Sequence, residues 1–125
     1  MRKFSIAGVS FALFAVILGA FASHALKDHF EVGVLQSFKT GIRYMMYHGL
    51  ALLILSQMSV AQNRWIFRLF FWGVIFFSFS IFALCLGKLT IYDLSWVGPI
   101  TPIGGSLLII GWAMLLWKII KNKAE

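Results

Sequence analysis

The side chains in this chain with chemistry to offer are His24, Asp28, Arg43, Tyr44, Tyr47, His48 and Thr101. On a helix, Tyr44 and His48 stand four apart and share a face, and Arg43 and Tyr47 form a second such pair. Two imidazoles on neighbouring helices could hold a haem, since imidazole is a usual axial ligand, or line a quinone pocket. Zinc is disfavoured: Cys85 is the only cysteine, and the histidine spacing fits no familiar zinc site. A hydrolytic centre built on Ser23, His24, Asp28 and Asp93 lacks the sharp nucleophile turn it would need. The plainer reading of RYMMYH (43–48) is an anchor: the tyrosine hydroxyls and the guanidinium reach water while the helix below stays dry.

The elements that must carry these residues are written in the composition. The chain has 125 residues, of which 61% are hydrophobic and only 12% charged, whereas soluble domains are near half apolar and a quarter charged. A chain this short could not hide so much apolar surface from water. Uncharged windows run over 4–23, 44–63, 69–87 and 94–117. Each approaches or exceeds the about 20 helical residues that cross a hydrocarbon core. They are apolar on both parities, unlike barrel strands. The expected fold is all-α, an integral membrane antiparallel four-helix bundle forming one domain. Its spans fall at about 4–23, 42–61, 67–87 and 101–119.

The first window has a rival reading, because MRK, an apolar run and AFAS together look like a secretory leader. Gly8, Ala12, Ala15, Gly19 and Ala22, however, fall on one stripe of a helix. Such stripes let helices approach closely in lipid, so the first helix is expected to be retained. Gly73, Ser80, Ala83 and Gly87 form a similar seam on the third span, and Gly104, Gly105 and Gly111 on the fourth.

Between the first two spans, residues 24–41 form the longest loop. Its repeat of Leu26, Phe30, Val34, Phe38 and Ile42 predicts a short interfacial helix, HALKDHF, broken at Gly33. Thr101 and Pro102 look like the N-cap and first position of the fourth span. With a second span starting at residue 42, His48 would lie about 6 Å inside its outer end. His24, the 43–48 cluster and the TPIGG turn would then share one rim. A polar cap is expected there, with His24 or Thr101 bonding the Arg43, Tyr44 and His48 group.

Four spans put both termini on one side, with Arg2, Lys3, Arg64, Arg68, Lys118, Lys121 and Lys123. The other side has only Lys27, Lys39, Arg43 and Lys88. The positive-inside rule places the basic side, and both termini, in the cytoplasm. The +7 formal charge is scattered over span ends, which points to lipid headgroups and not to nucleic acid.

Three stretches together resemble a known family. LGAFASHAL (18–26) is similar to its LGAFGAHAL signature, IRYMMYHGLALL (42–53) to xRYxMYHALALL, and TPIGGSLLIIGW (101–112) to TPxGGxxxxxGW. This is the domain of unknown function 423 family of small four-span membrane proteins, related to eukaryotic transmembrane protein 256. The corresponding positions are Gly19, Ala20, Phe21, His24, Arg43, Tyr44, Tyr47, His48, Thr101, Pro102, Gly104, Gly105, Gly111 and Trp112. The chain departs from the pattern at Ala22-Ser23, where relatives have glycine-alanine. It departs again in FSFSIFAL (77–84), where relatives often read FSGSLYAL.

The resemblance implies a multi-pass membrane protein and no particular activity. We therefore expect a non-enzymatic protein of the bacterial cytoplasmic (inner) membrane, with a structural or interaction role. Its partners would be membrane lipid, a second copy or another membrane protein. The alternatives are a haem, quinone or other small-ligand binder using His24 and His48, and a small transporter or channel. The interiors of the first, third and fourth spans, however, lack the ionisable groups of an ion path.

Overall fold

Each apolar window contains a long helix, but the second helix starts well before its own window and ends at Leu55, short of the window's end. The computed structural model describes residues 2–59 and 62–122. Its helices are α1 (Arg2–His24), α2 (Val32–Leu55), α3 (Arg64–Val74), α4 (Ser80–Gly87) and α5 (Ile100–Lys121). A π-helical turn at Ile75–Phe79 joins α3 to α4 as one rod, and a 3-10 turn covers Ser95–Val97. The fold is all-α, with four long helices and no strand among the described residues. The expected end of the second span at residues 60–61, and Lys123, lie outside the described residues.

Three stretches are long and apolar enough to cross a membrane: Arg2–His24, Arg64–Gly87 and Ser95–Lys121. The second helix is not among them. Lys39, Arg43, Tyr44, Tyr47 and His48 interrupt it, leaving an unbroken apolar run only from Gly49 to Leu55.

The loop before α2 differs from expectation. Residues 25–30 form turns and not an interfacial helix; the N–H groups of Ala25 and Leu26 both donate to the Phe21 carbonyl at 2.9 Å. Phe30 is buried against Phe38, with ring centroids 5.6 Å apart, and pins the turn. The chain is extended at Glu31 and helical again from Val32, so Gly33 sits inside the first turn of α2 and breaks nothing. At the other end of α2, Gln62 Nε2 donates to the Leu55 carbonyl at 2.8 Å, satisfying a terminal acceptor. Asn63 caps α3, its Oδ1 accepting from the N–H of Trp65 at 2.7 Å and of Ile66 at 3.2 Å.

Two helix pairs make the body: α1 packs mainly on α2, and α5 mainly on α3 and the π turn. In the first pair Gly8 and Gly49 oppose each other. A Cβ on Gly8 would come within 2.6 Å of the Gly49 carbonyl oxygen, and one on Gly49 within 2.9 Å of the Gly8 oxygen. In the second pair Gly104 lies on the backbone of Phe76 and Phe77, Gly73 faces Leu108, and Gly111 faces the Phe70 ring. Backbones this close gain dispersion contacts, which drive helix association in lipid where no hydrophobic effect operates.

Other members of the expected seams contribute less. Ala15 is buried and Ala12 half-buried, with its backbone N–H against Gly49. Ala83 is half-buried, Gly19 has only Ile42 at 4.0 Å, and Gly105 touches the Phe77 ring at 3.6 Å. The pairs are joined by Phe4 on Phe67 (5.2 Å) and Phe38 on Phe82 (5.0 Å). A buried Ser78 hydroxyl also donates to the Gly41 carbonyl at 2.8 Å.

Helix α5 begins at Ile100, so Thr101 is inside the helix and not its N-cap. Its hydroxyl instead meets the Ser80 hydroxyl at 2.5 Å. Pro102 is tolerated because it still lies in the first turn, where its missing N–H has no intrahelical partner. In the preceding loop the Ser95 backbone N–H donates to Asp93 Oδ1 at 3.0 Å and holds that carboxyl below the usual carboxylate range.

Candidate functional site

His48 is buried, with 4% of its surface exposed. Trp112 Nε1 donates to His48 Nε2 at 2.9 Å, and His48 Nδ1 lies 2.8 Å from the Tyr44 carbonyl oxygen. An indole N–H can only donate and a carbonyl can only accept. These two partners therefore fix one form of the ring: neutral, with the proton on Nδ1 and the lone pair on Nε2. Both nitrogens are spoken for. Phe70 closes the site, edge-on to His48 at 5.5 Å and 4.9 Å from Trp112.

The height of His48 differs from expectation. Because α2 begins at Val32, His48 lies about 24 Å from that end and about 10 Å from Leu55. Its neighbour Gly49 crosses α1 at Gly8, so His24 is about 24 Å farther along α1. The two histidines do not share a rim. His24 is exposed at the last residue of α1, and Asp28 is exposed in the turn beyond it.

The expected polar cap is not assembled. Arg43 Nη2 donates to Thr40 Oγ1 at 3.1 Å within its own helix, and Thr101 pairs with Ser80. Tyr44 stacks over His48 at 6.1 Å and lies 4.9 Å from Phe77, while Tyr47 is exposed beside Tyr44. Sequence reasoning joined Tyr44 to His48 correctly but missed Trp112 as the second partner, 64 residues away. Gly49, the reciprocal of Gly8, was also missed. Its one signal is its place directly after His48, and no seam repeats around it.

Two clefts line the join between the helix pairs. The larger, about 590 Å³, has Ser37 and Thr40 of α2 on one wall and Thr101 of α5 on the other, above Ile81, Leu84 and Cys85. The second, about 420 Å³, follows one turn deeper between Tyr44, His48 and Phe77 on one side and Leu108, Ile109 and Trp112 on the other. Among the described residues no three His, Cys, Asp or Glu side chains converge as a metal site.

The Trp112–His48 bond crosses between α5 and α2 and should be measurable. Trp112→Phe leaves Nε2 without its donor and is expected to destabilise by about 1 kcal/mol, the upper part of the range for interhelical bonds in lipid. His48→Leu should cost a similar amount, and the double variant less than the two losses added. Denaturation midpoints of the four proteins in mild detergent check this; strict additivity would mean the bond carries no coupling.

Fold and site together define a class: a helical membrane protein whose buried polar side chains bond to one another across helices. The chain belongs to the family described as "Protein of unknown function (DUF423)", whose model matches residues 18–105. It is similar to the UPF0382 membrane protein of Staphylococcus saprophyticus, 40% identical over 119 residues, covering 93% of this chain and 95% of that one. It is also similar to the UPF0382 membrane protein YwdK of Bacillus subtilis, 36% identical over 129 residues, covering 97% and 98%. No solved structure matches the chain.

Proposed function

We propose that this protein is a non-enzymatic structural component of the bacterial cytoplasmic membrane. It is an antiparallel four-helix bundle with both termini in the cytoplasm, and it works by packing against lipid, a second copy or a partner membrane protein. The observation that carries this reading is the use made of the reactive groups. Both ring nitrogens of His48 and the hydroxyl of Thr101 are bonded to other residues of this chain, and Arg43 turns one of its donors to Thr40.

The second helix is read as the fourth crossing. Its 24 residues span about 36 Å, longer than a hydrocarbon core of about 30 Å. Lys39 and Arg43 lie on its exposed face and must reach back to the headgroups, as long basic side chains do. Arg43 bonds Thr40, one turn toward the Val32 end, and Thr40 bonds Gln36 a turn beyond. That chain of bonds runs toward the interface. At the other membrane face Lys3 lies over Phe67, Arg68 over Trp65 and Lys121 near Trp117, at 5.0, 5.0 and 5.7 Å. Such basic and aromatic pairs support cytoplasmic termini under the positive-inside rule.

The haem or quinone alternative gains no support. One iron would need both imidazoles at one level, and His24 lies about 24 Å along α1 from the level of His48. His48 would also have to give up Trp112 first. The transporter alternative would need a continuous polar path; the polar side chains buried in the core, His48, Ser56, Ser78 and Ser80, bond within the chain amid a mainly apolar cluster. Absorbance of the protein purified from native membranes in mild detergent tests the reading. The expected spectrum has only the aromatic ultraviolet band, in a protein that retains lipid or a partner by native mass spectrometry. A Soret band, or a protein that copurifies with neither, would overturn it.

A further inference from the structure

We propose that the cleft between α2, α4 and α5 seats one phospholipid with a zwitterionic, ethanolamine-type headgroup. The proposal rests on the lipid-facing role above and gives it a site and a ligand class. The cleft exists because each wall packs on a different neighbour, α2 on α1 and α5 on α3 and the π turn. Its mouth carries Glu31 and Lys88, which make no ion pair with each other. Lys88 is close enough to Asp93 to favour its charged form but makes no ion pair with it. The Ser37 hydroxyl in the same wall makes no hydrogen bond among the described residues.

An anion and a cation, both at the mouth of this slot and neither in an ion pair among the described residues, are complementary to a headgroup carrying both charges. The phosphodiester takes Lys88 and Ser37, and the ammonium takes Glu31. A purely anionic headgroup would leave Glu31 repelled, which sets the preference. Below the mouth the lining turns apolar at Ile81 and Leu84 and then aromatic at Phe77 and Trp112. From Gly33 to His48 the two clefts run about 22 Å along α2, more than half of a core about 30 Å thick. That is room for one acyl chain to reach the bilayer midplane beside the Trp112–His48 bridge.

The test uses the full chain in nanodiscs of equal phosphatidylethanolamine and phosphatidylglycerol, followed by detergent stripping and native mass spectrometry. One phosphatidylethanolamine is expected to persist, favoured by roughly fivefold, the scale of one partly exposed charge contact. Glu31→Lys, a surface change, should reverse the preference toward phosphatidylglycerol. Leu84→Trp should fill the slot and release either lipid while helical circular dichroism stays unchanged. Equal retention of both lipids, or retention unaltered in both variants, overturns the site while leaving the structural reading in place. Failure of that reading would show separately, as a Soret band in the parent.

Discussion

Gly104→Ala is expected to abolish most folded protein, while its neighbour Gly105→Ala should fold like the parent. The two glycines are adjacent on α5 and both belong to the TPIGG motif, yet their surroundings differ in kind. A Cβ at Gly104 would run into the main chain of the π turn, with the Phe76 carbonyl carbon at 2.6 Å and the Phe77 Cα at 2.7 Å. Backbone cannot swing aside as a rotamer can, so α5 must lift from the rod, taking the Gly73–Leu108 contact with it. Overpacking of this sort costs about 1–3 kcal/mol and occasionally more, and the backbone obstacle puts Gly104→Ala at the upper end. At Gly105 the nearest atom would be Phe77 Cδ1 at 3.6 Å, an ordinary contact. There alanine also gains helix propensity, about 1 kcal/mol in the opposite direction. Denaturation midpoints in detergent, compared at equal expression, should order the proteins Gly105→Ala at or above parent, then Gly104→Ala far below. Equal loss at both positions would mean that α5 does not lie on the π turn as described.

The second large effect is at the crossing of α1 and α2. Gly8→Ala and Gly49→Ala each place a methyl against the partner's carbonyl oxygen, at 2.6 and 2.9 Å before relaxation. Each is expected to cost about 2 kcal/mol. The two share one obstacle, because opening the crossing for the first methyl makes room for the second. The double variant should therefore lose clearly less than the sum. Gly19→Ala, with Ile42 no nearer than 4.0 Å, and Gly33→Ala, with nothing within 4 Å, serve as controls. Both should be neutral or mildly stabilising, since alanine is the better helix former.

These contrasts mark how far the sequence was legible. The helices of the first, third and fourth windows followed from hydropathy, because a side chain's preference for lipid is a local property. The value of a small-residue seam was also legible: Gly8, Gly73, Gly104 and Gly111 all sit at close crossings. Which glycine of an adjacent pair bears the contact was not, since this depends on the rotation of α5 against the π turn. Gly41 and Gly49 went unnoticed because α2 presents them singly, although a Cβ at Gly41 would meet the Phe82 ring at 2.8 Å.

The site was legible in its members and not in its geometry. RYMMYH drew attention through its own density of polar and aromatic groups, and Tyr44 with His48 followed from helical spacing. The height of His48 went astray because the start of α2 was set by hydropathy, which cannot see a helix continuing through Lys39 and Thr40. Phe30 settles that start through burial against Phe38, a tertiary contact. The Trp112 bond depends on two helices far apart in sequence meeting at one level. Thr101 shows the same limit, for its local pattern predicts a cap and its tertiary partner is Ser80.

The number of crossings is the point on which the lipid-facing reading turns, because α2 carries Lys39 and Arg43 well inside the helix, whereas the charges of the other three stretches stand near their ends. Single-cysteine variants at Arg2, Lys121, Asp28 and Asp93, made in a Cys85→Ser background, can be labelled with a membrane-impermeant maleimide from either face. Four crossings require residues 2 and 121 to react only from the cytoplasmic face, and residues 28 and 93 only from the opposite one. Reaction of residues 2 and 121 from opposite faces, as three crossings would give, would remove α2 from the membrane and contradict the four-helix bundle.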